Sequence, residues 1–157
     1  MNSIAVFVDV QNIYYTCRQS YGRQFNYRLL WQQLTAVGNI KYARAYAIEA
    51  VDDQQHKFQD ALRHIGFDVK LKPYIQRRDG SSKGDWDVGI TIDVLTLASE
   101  VDQLVLLSGD GDFALLLDAV RQRTPCRSLV YGVPALTAHA LMNSADEFRP
   151  ILPELLR

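Results

Sequence analysis

The stretch QLVLLSGDGDF (residues 103–113) joins a short apolar run to a turn made of glycines and acids. Gln103–Leu107 has the length and apolar character of a parallel strand that is buried on both faces, and Asp110 follows it closely. The N-terminal run SIAVFV (residues 3–8) has the same character and ends abruptly at Asp9. In an open parallel sheet, ligands bind beyond the carboxyl ends of the strands. Two apolar strands that both lead to aspartates therefore predict an α/β fold with a functional site at one sheet edge.

Strand-like and helical segments alternate along the rest of the chain, which predicts a mainly parallel sheet covered by helices on both faces. We expect a three-layer, Rossmann-like α/β fold with about five or six strands in the order 3-2-1-4-5, forming one domain over residues 1–157. The predicted strands cover residues 3–8, 40–50, 67–71, 103–107 and 126–131, with a further extended piece near residues 147–151. The predicted helices cover residues 12–21, 26–37, 52–65, 85–99, 113–122 and 135–142.

The same segments predict where several side chains lie. The helix of residues 85–99 has Val88, Ile92 and Leu95 along one face. Residues 75–84, IQRRDGSSKG, predict the main polar loop. The side chains expected in the core include those of Trp31, Phe58, Leu62, Leu115, Leu116 and Leu117.

Composition indicates a soluble, globular protein of the cytoplasm. The hydrophobic fraction is 48%, and no apolar run suits a membrane helix or a signal peptide. Cys17 and Cys126 form no metal-ligand pair and are expected as reduced thiols. The net charge of −1 argues against a protein that coats nucleic acid non-specifically, but it permits a local basic rim around an acidic centre.

The order 3-2-1-4-5 makes the first and fourth strands neighbours, so that Asp9 and Asp110 would lie side by side where the strand order reverses. Two such carboxylates repel each other and resist ionisation unless a cation offsets their charge. Asp87, in the first turn of its helix, and Asp112, just beyond Asp110, would add two more carboxylates. Oxygen ligands without Cys or His favour Mg²⁺ or Mn²⁺ over zinc. The sequence therefore predicts a magnesium or manganese site.

Asn12 and Ser108 are expected to support this site. Asn12 would aim its amide at a phosphate or a bound water, and Ser108 would act through its hydroxyl. The acids also have ordinary structural interpretations, which the sequence leaves open. Asp9 and Asp112 could each cap the helix that follows them, and Asp87 could simply stabilise the positive end of its helix.

Three segments carry a family resemblance. FVDVQN (residues 7–12), KGDWDVGITID (residues 83–93) and LLSGDGDF (residues 106–113) resemble the signature segments of NYN domains, in the expected order and spacing. Their combination resembles the LabA-like bacterial group of that family. The resemblance extends over nearly the whole chain.

The resemblance implies a Rossmann-like PIN fold and metal-dependent ribonuclease chemistry, in which bound Mg²⁺ or Mn²⁺ activates water for in-line attack on an RNA phosphodiester. Asp93 matches a further acidic position, but it lies about 120° around an ideal helix from Asp87 and is ranked below the other acids. The residues that match the acidic metal site are Asp9, Asp87, Asp110 and Asp112, and Asn12 matches the accompanying polar position.

A single-stranded RNA substrate would need cations and stacking surfaces close to the carboxylates. Tyr14, Tyr15 and Arg18 follow Asn12 and would offer one such surface. A second would lie just before the helix of residues 85–99, although runs of charge are usually solvated surface. Its members are Lys70, Lys72, Tyr74, Arg77, Arg78 and Lys83.

Two other functions fit the same sequence. One is a Mg²⁺-dependent phosphohydrolase of a small phosphate ester, although Gln11 stands where a dehalogenase-type enzyme has its second aspartate. The other is a non-catalytic module that binds RNA or a protein partner, and a homodimer is a further expectation. GDGDF lacks the GxGxxG spacing, which excludes a dinucleotide site.

Overall fold

The computed structural model describes residues 2–73, 75–76, 82–83 and 85–157 of the chain. Strands β4 and β5 form a short antiparallel hairpin, and the other six strands form one parallel sheet. The strands are β1 (Ser3–Asp9), β2 (Asn39–Ile48), β3 (Asp68–Lys72), β4 (Ile75–Gln76), β5 (Ser82–Lys83), β6 (Gln103–Leu107), β7 (Arg127–Gly132) and β8 (Glu147–Pro150). The helices are α1 (Val10–Tyr21), α2 (Tyr27–Val37), α3 (Asp53–Ile65), α4 (Asp87–Leu97), α5 (Phe113–Arg123) and α6 (His139–Ser144).

The main sheet has the strand order β3-β2-β1-β6-β7-β8. The predicted order 3-2-1-4-5 is therefore confirmed, and β8 adds a sixth strand at the edge. β1 and β6 are neighbours, with Val8 opposite Leu107, and the order reverses between them. The next residues along these two strands are Asp9 and Ser108, so the sheet itself brings both to one carboxyl edge.

Side-chain alternation along β1 divides the core into two layers. Ile4, Val6 and Val8 are fully buried on the face covered by α1, α2 and α3, whereas Ala5 and Phe7 are fully buried under α4 and α5. Burying one large aliphatic or aromatic side chain contributes about 1.5–3 kcal/mol. β1 therefore anchors both layers, and the position of Asp9 at its end is correspondingly rigid.

The face of α4 that carries Val88, Ile92 and Leu95 points to solvent, with exposed fractions of 71%, 58% and 38%. The helix is apolar almost all round, so its periodicity alone does not determine which side packs on the sheet. The buried side chains of α4 are those of Ile90, Val94 and Leu97.

Three further sequence predictions need correction. Leu115 was expected in the core but is 78% exposed, because Leu116 and Leu117 occupy the buried side of α5. The predicted loop of residues 75–84 contains the β4–β5 hairpin. Helix α1 begins at Val10, directly after Asp9, rather than at Asn12.

Other expectations concern the core and membranes. Leu62, Cys17 and Cys126 are buried, while Trp31 and Phe58 pack partly buried against the core. In the described part of the chain, no helix has both the length and the apolar character needed to cross a membrane.

Candidate metal centre

The hydroxyl of Ser108 links the ends of the two central strands. It donates a hydrogen bond to the Asp9 carboxylate at 3.0 Å and accepts one from the main-chain N–H of Asp110 at 3.1 Å. Ser108 is fully buried, so it positions the acids and has no surface with which to contact a substrate. The prediction that Ser108 supports the cluster through its hydroxyl agrees with this geometry, whereas a substrate-binding role does not.

Asn12 fastens α1 to the turn that follows β6. Its side-chain oxygen accepts a hydrogen bond from the Gly109 main-chain N–H at 2.8 Å. Among the described residues, no partner accepts a hydrogen bond from its amide nitrogen. Asn12 therefore holds the acid-bearing turn in place.

Two turns of the form Asp-x-Asp present the remaining acids. Asp110 accepts a hydrogen bond from the Asp112 main-chain N–H at 2.9 Å, and Asp85 accepts one from the Asp87 main-chain N–H at 3.1 Å. In both turns the first carboxylate fixes the main chain that carries the second acid. Asp85 is not among the predicted site residues, although the shared spacing in GDWD and GDGD was a signal for it.

Asp87, Asp110 and Asp112 each bring one carboxylate oxygen within 4.8 Å of the others. The Asp112 side chain makes no capping hydrogen bond to α5, so capping does not account for its presence. None of Asp9, Asp87, Asp110 and Asp112 forms an ion pair with Lys or Arg in the part of the chain that the structure describes. The negative charge of the cluster is therefore uncompensated by those residues.

The pKa of two of these acids is raised, in both cases mainly by burial. Burial raises the pKa of Asp9 to about 6, with additional contributions from the charges of Asp110 and Asp85, although hydrogen bonds from Ser108 and the Asn12 main chain oppose the rise. The pKa of Asp87 rises to about 7 through burial, a hydrogen bond shared with Asp110 and the charges of Asp110, Asp85 and Asp9. Both carboxyl groups therefore bind a proton more tightly than an ordinary aspartate does.

Gly109 allows the acid-bearing turn to approach the segment of residues 136–138. A Cβ atom at Gly109 would lie 2.5 Å from the Leu136 carbonyl oxygen. The Gly109 carbonyl in turn accepts a hydrogen bond from the Ala138 N–H at 3.0 Å. The glycines of GDGDF therefore provide close packing, and no phosphate cradle is needed to explain them.

Asp93 lies outside the cluster. Its carboxylate forms an ion pair with Arg44 at 3.1 Å and accepts a hydrogen bond from the Tyr46 hydroxyl at 2.6 Å. These contacts join α4 to β2, and the ion pair with Arg44 neutralises the charge of Asp93. Asp93 therefore has a structural role and does not act as a further metal ligand in this arrangement.

The predicted basic and aromatic residues are placed in different ways. Tyr14 and Tyr15 are 42% and 62% exposed on α1, as a stacking surface requires. Lys70 pairs with Asp68, whereas Lys72 lies over the Trp86 ring at 4.7 Å and donates to the Asp85 carbonyl at 2.7 Å. Tyr74, Arg77 and Arg78 lie outside the described residues, and Lys83 is described only through its strand β5.

Comparison with known proteins gives consistent matches over most of the chain. The family model of the NYN domain matches residues 3–152. The low amplitude and bright protein LabA of Synechococcus elongatus is 28% identical over 153 residues, which cover 92% of this chain and 81% of LabA. The crystal structure of VPA0982, a protein of unknown function from Vibrio parahaemolyticus, is 50% identical, with a TM-score of 0.94 over 99% of this chain and 96% of that one.

Proposed function

This chain belongs to the NYN domain family, and from that premise we propose that it is a metal-dependent nuclease that hydrolyses RNA. The observation that supports the proposal most directly is the group of three carboxylates within 4.8 Å, those of Asp87, Asp110 and Asp112. Asp9, the fourth predicted ligand, is not part of this group, although the charge of Asp110 contributes to its raised pKa. Four acids at one sheet edge repel one another when they are ionised, and a bound divalent cation would offset that charge, so their presence calls for a function.

The donor set fits a hard divalent cation. All the grouped donors are carboxylate oxygens, with no Cys or His, and such sites prefer Mg²⁺ or Mn²⁺. Asp87, Asp110 and Asp112 would hold the ion, and Asp9 would complete the negative site. When bound, the cation supplies charge neutralisation at the phosphate and activation of water for hydrolysis.

Side chains around the acids hold the site in a fixed geometry before substrate binds. The buried Ser108 hydroxyl and the Asn12 side chain fix Asp9, Gly109 and Asp110 relative to one another before any substrate arrives. The amide nitrogen of Asn12, which donates to none of the described residues, would donate to a phosphate oxygen and orient the scissile group. In the net reaction, the oxygen of water bonds to phosphorus and the 3′-oxygen leaves with a proton, giving a 5′-phosphate and a 3′-hydroxyl.

We expect the protein to cleave single-stranded RNA in Mn²⁺ or Mg²⁺ and to lose that activity in EDTA. The measurement is a side-by-side assay of unstructured RNA, structured RNA, single-stranded DNA and a chromogenic phosphate ester, with mass spectrometry of the product ends. Hydrolysis of the ester without cleavage of RNA would contradict the proposal and indicate a phosphohydrolase. Failure to cut any of the four substrates, together with retained RNA binding, would favour a non-catalytic module.

A further inference from the structure

A cavity lies at the far end of α1 from the metal centre. Its volume is about 340 Å³, and the residues that line it are Tyr14, Arg18, Gly22, Arg23 and Gln24. Gly22 adopts a left-handed conformation, with φ of 65°, that ends α1 and turns the chain so that Arg23 and Gln24 can line the same cavity. The shape of the cavity therefore depends on the turn at Gly22.

The two arginines of the cavity differ in their hydrogen-bond partners. Arg18 donates to the Tyr14 hydroxyl at 2.8 Å and lies over the Tyr14 ring, with 5.8 Å between the guanidinium carbon and the ring centroid. Arg23 donates to the main-chain oxygens of Leu156 and Arg157. In the described part of the chain, neither forms an ion pair with Asp or Glu.

Two guanidinium groups beside an aromatic ring suit a nucleotide. Planar guanidinium groups bind phosphate through two parallel hydrogen bonds, and tyrosine rings stack on bases. The five residues that line the cavity include two arginines and no Asp or Glu.

Helix α1 connects this cavity with the metal centre. The helix starts directly after Asp9, and Arg18 lies about 13 Å further along its axis at 1.5 Å per residue. Tyr14 and Arg18 are one turn apart on the same side, and the exposed Tyr15 ring contacts Tyr14 edge-on at 5.5 Å. An extended single strand can follow this row of exposed side chains away from Asp9.

We propose that this cavity is a second RNA subsite, which binds the phosphate and base of a nucleotide a few residues from the scissile bond. The inference rests on the proposed nuclease function and adds a specific site to it. The subsite gives the enzyme a preference for single strands long enough to reach it. The positive charges of Arg18 and Arg23 also offset part of the repulsion between RNA and the acidic centre.

The test compares Arg18→Gln with Arg123→Gln in cleavage of a long unstructured RNA and of a trinucleotide that cannot reach the cavity. Arg123 is a matched control, because it is exposed at the C-terminal end of α5, away from the acids. We expect Arg18→Gln to raise KM for the long RNA roughly tenfold, with kcat and trinucleotide cleavage unchanged. The salt dependence of kcat/KM should weaken by about 0.7 in log–log slope for each phosphate that the variant no longer binds. Tyr14→Leu, which removes the ring without changing charge, should raise KM but leave that slope unchanged.

The outcomes separate the subsite from the function on which it rests. If RNA is cut and Arg18→Gln behaves like Arg123→Gln, the proposal of a subsite is wrong and the proposal of a nuclease is retained. Equal losses on the long RNA and the trinucleotide would also overturn the subsite, since they indicate a general defect. If the unmodified protein cuts no RNA, both proposals fail together.

A different observation concerns the exposed apolar side chains of α4 and α5. Val88, Ile92 and Leu95 form one stripe at helical spacing, and Leu115 is 78% exposed on α5, which contacts α4. Together they expose on the order of 300 Å² of aliphatic surface, which is the size of the largest apolar patch on a typical monomer, and such patches are often functional. None of the three stripe residues is charged, and Asp93, which lies between Ile92 and Leu95 in the sequence, is paired with Arg44.

We infer that a second copy of this chain covers the stripe, with α4 packed against α4 about a two-fold axis. An isologous interface requires a surface that complements itself, and an uncharged aliphatic stripe does so without repulsion between like charges. Its area suits the apolar centre of an interface that buries about 800 Å² per partner. Because α4 begins at Asp87, this dimer would hold the two metal centres on one assembly.

Analytical ultracentrifugation over a range of concentrations tests the dimer. The unmodified protein should sediment as a dimer, and Ile92→Glu should sediment as a monomer because the interface cannot bury two unpaired carboxylates. Val37→Glu is the matched control, since Val37 is 64% exposed at the end of α2, and it should remain dimeric. A monomeric unmodified protein, or a dimeric Ile92→Glu variant, would overturn the inference.

Discussion

Replacing Asp110 by asparagine should lower the rate of RNA cleavage by at least about a thousandfold and leave the fold intact. Asp110 belongs to the group of three carboxylates, and its charge raises the pKa of both Asp9 and Asp87. Asparagine retains the side-chain oxygen that accepts the Asp112 N–H, so the turn should keep its shape. Single-turnover cleavage of a labelled RNA at saturating Mn²⁺ measures the loss.

The matched control for Asp110→Asn is Asp93→Asn. Asp93 is bound to Arg44 and Tyr46, and asparagine can still accept from both, so this variant should keep most of the activity. Without added metal, Asp110→Asn should melt at a higher temperature than the unmodified protein, because one of the crowded charges is removed. Normal turnover by Asp110→Asn, or an equal loss in Asp93→Asn, would contradict this account of the site.

The metal-free protein should lose stability as the pH rises from about 5 to about 8. Burial and neighbouring charges raise the pKa of Asp9 to about 6 and that of Asp87 to about 7, so the folded protein binds protons more tightly than the unfolded chain. A raised carboxyl pKa contributes stability that is complete below the ordinary value and is lost as the pH rises through the folded-state value. Asp102 and Asp146 have lowered pKa values, so the stability that they contribute is lost only on acidification below this pH range.

Thermal melting in EDTA and in Mn²⁺ at both ends of this pH range measures the effect. Mn²⁺ should raise the melting temperature more at about pH 8 than at about pH 5, because protons compete with the ion for the same carboxylates at low pH. Asp110→Asn should show a smaller pH effect and a smaller effect of Mn²⁺. A metal-free protein that gains stability between these two pH values would contradict the raised pKa values.

The fold and the grouping of acids could be predicted because both follow from local sequence. Apolar runs of strand length ending at Asp9 and shortly before Asp110 indicated two central strands. Once the order of strands was given, their carboxyl ends had to meet at the point of reversal. The role of Ser108 also followed from its position between β6 and Asp110.

The sequence could not reveal features that depend on contacts between distant residues. Asp93 resembles a site residue in its motif, but its partner Arg44 lies on β2, 49 residues earlier in the chain and beyond local spacing rules. The outward face of α4 could not be chosen either, because Ile90 and Val94 are as apolar as Val88 and Ile92. Which side packs on the sheet is decided by the placement of the helix as a whole.

Direct titration with Mn²⁺, followed by electron paramagnetic resonance of the free ion, tests the central claim most closely. The group of Asp87, Asp110 and Asp112 should bind Mn²⁺ saturably near neutral pH, and Mg²⁺ should compete for the same site. Asp110→Asn should weaken this binding severely, whereas Asp93→Asn should leave it nearly unchanged. A protein that binds no Mn²⁺, or an Asp110→Asn variant that binds it as tightly as the unmodified chain, would show that this cluster is not a metal centre.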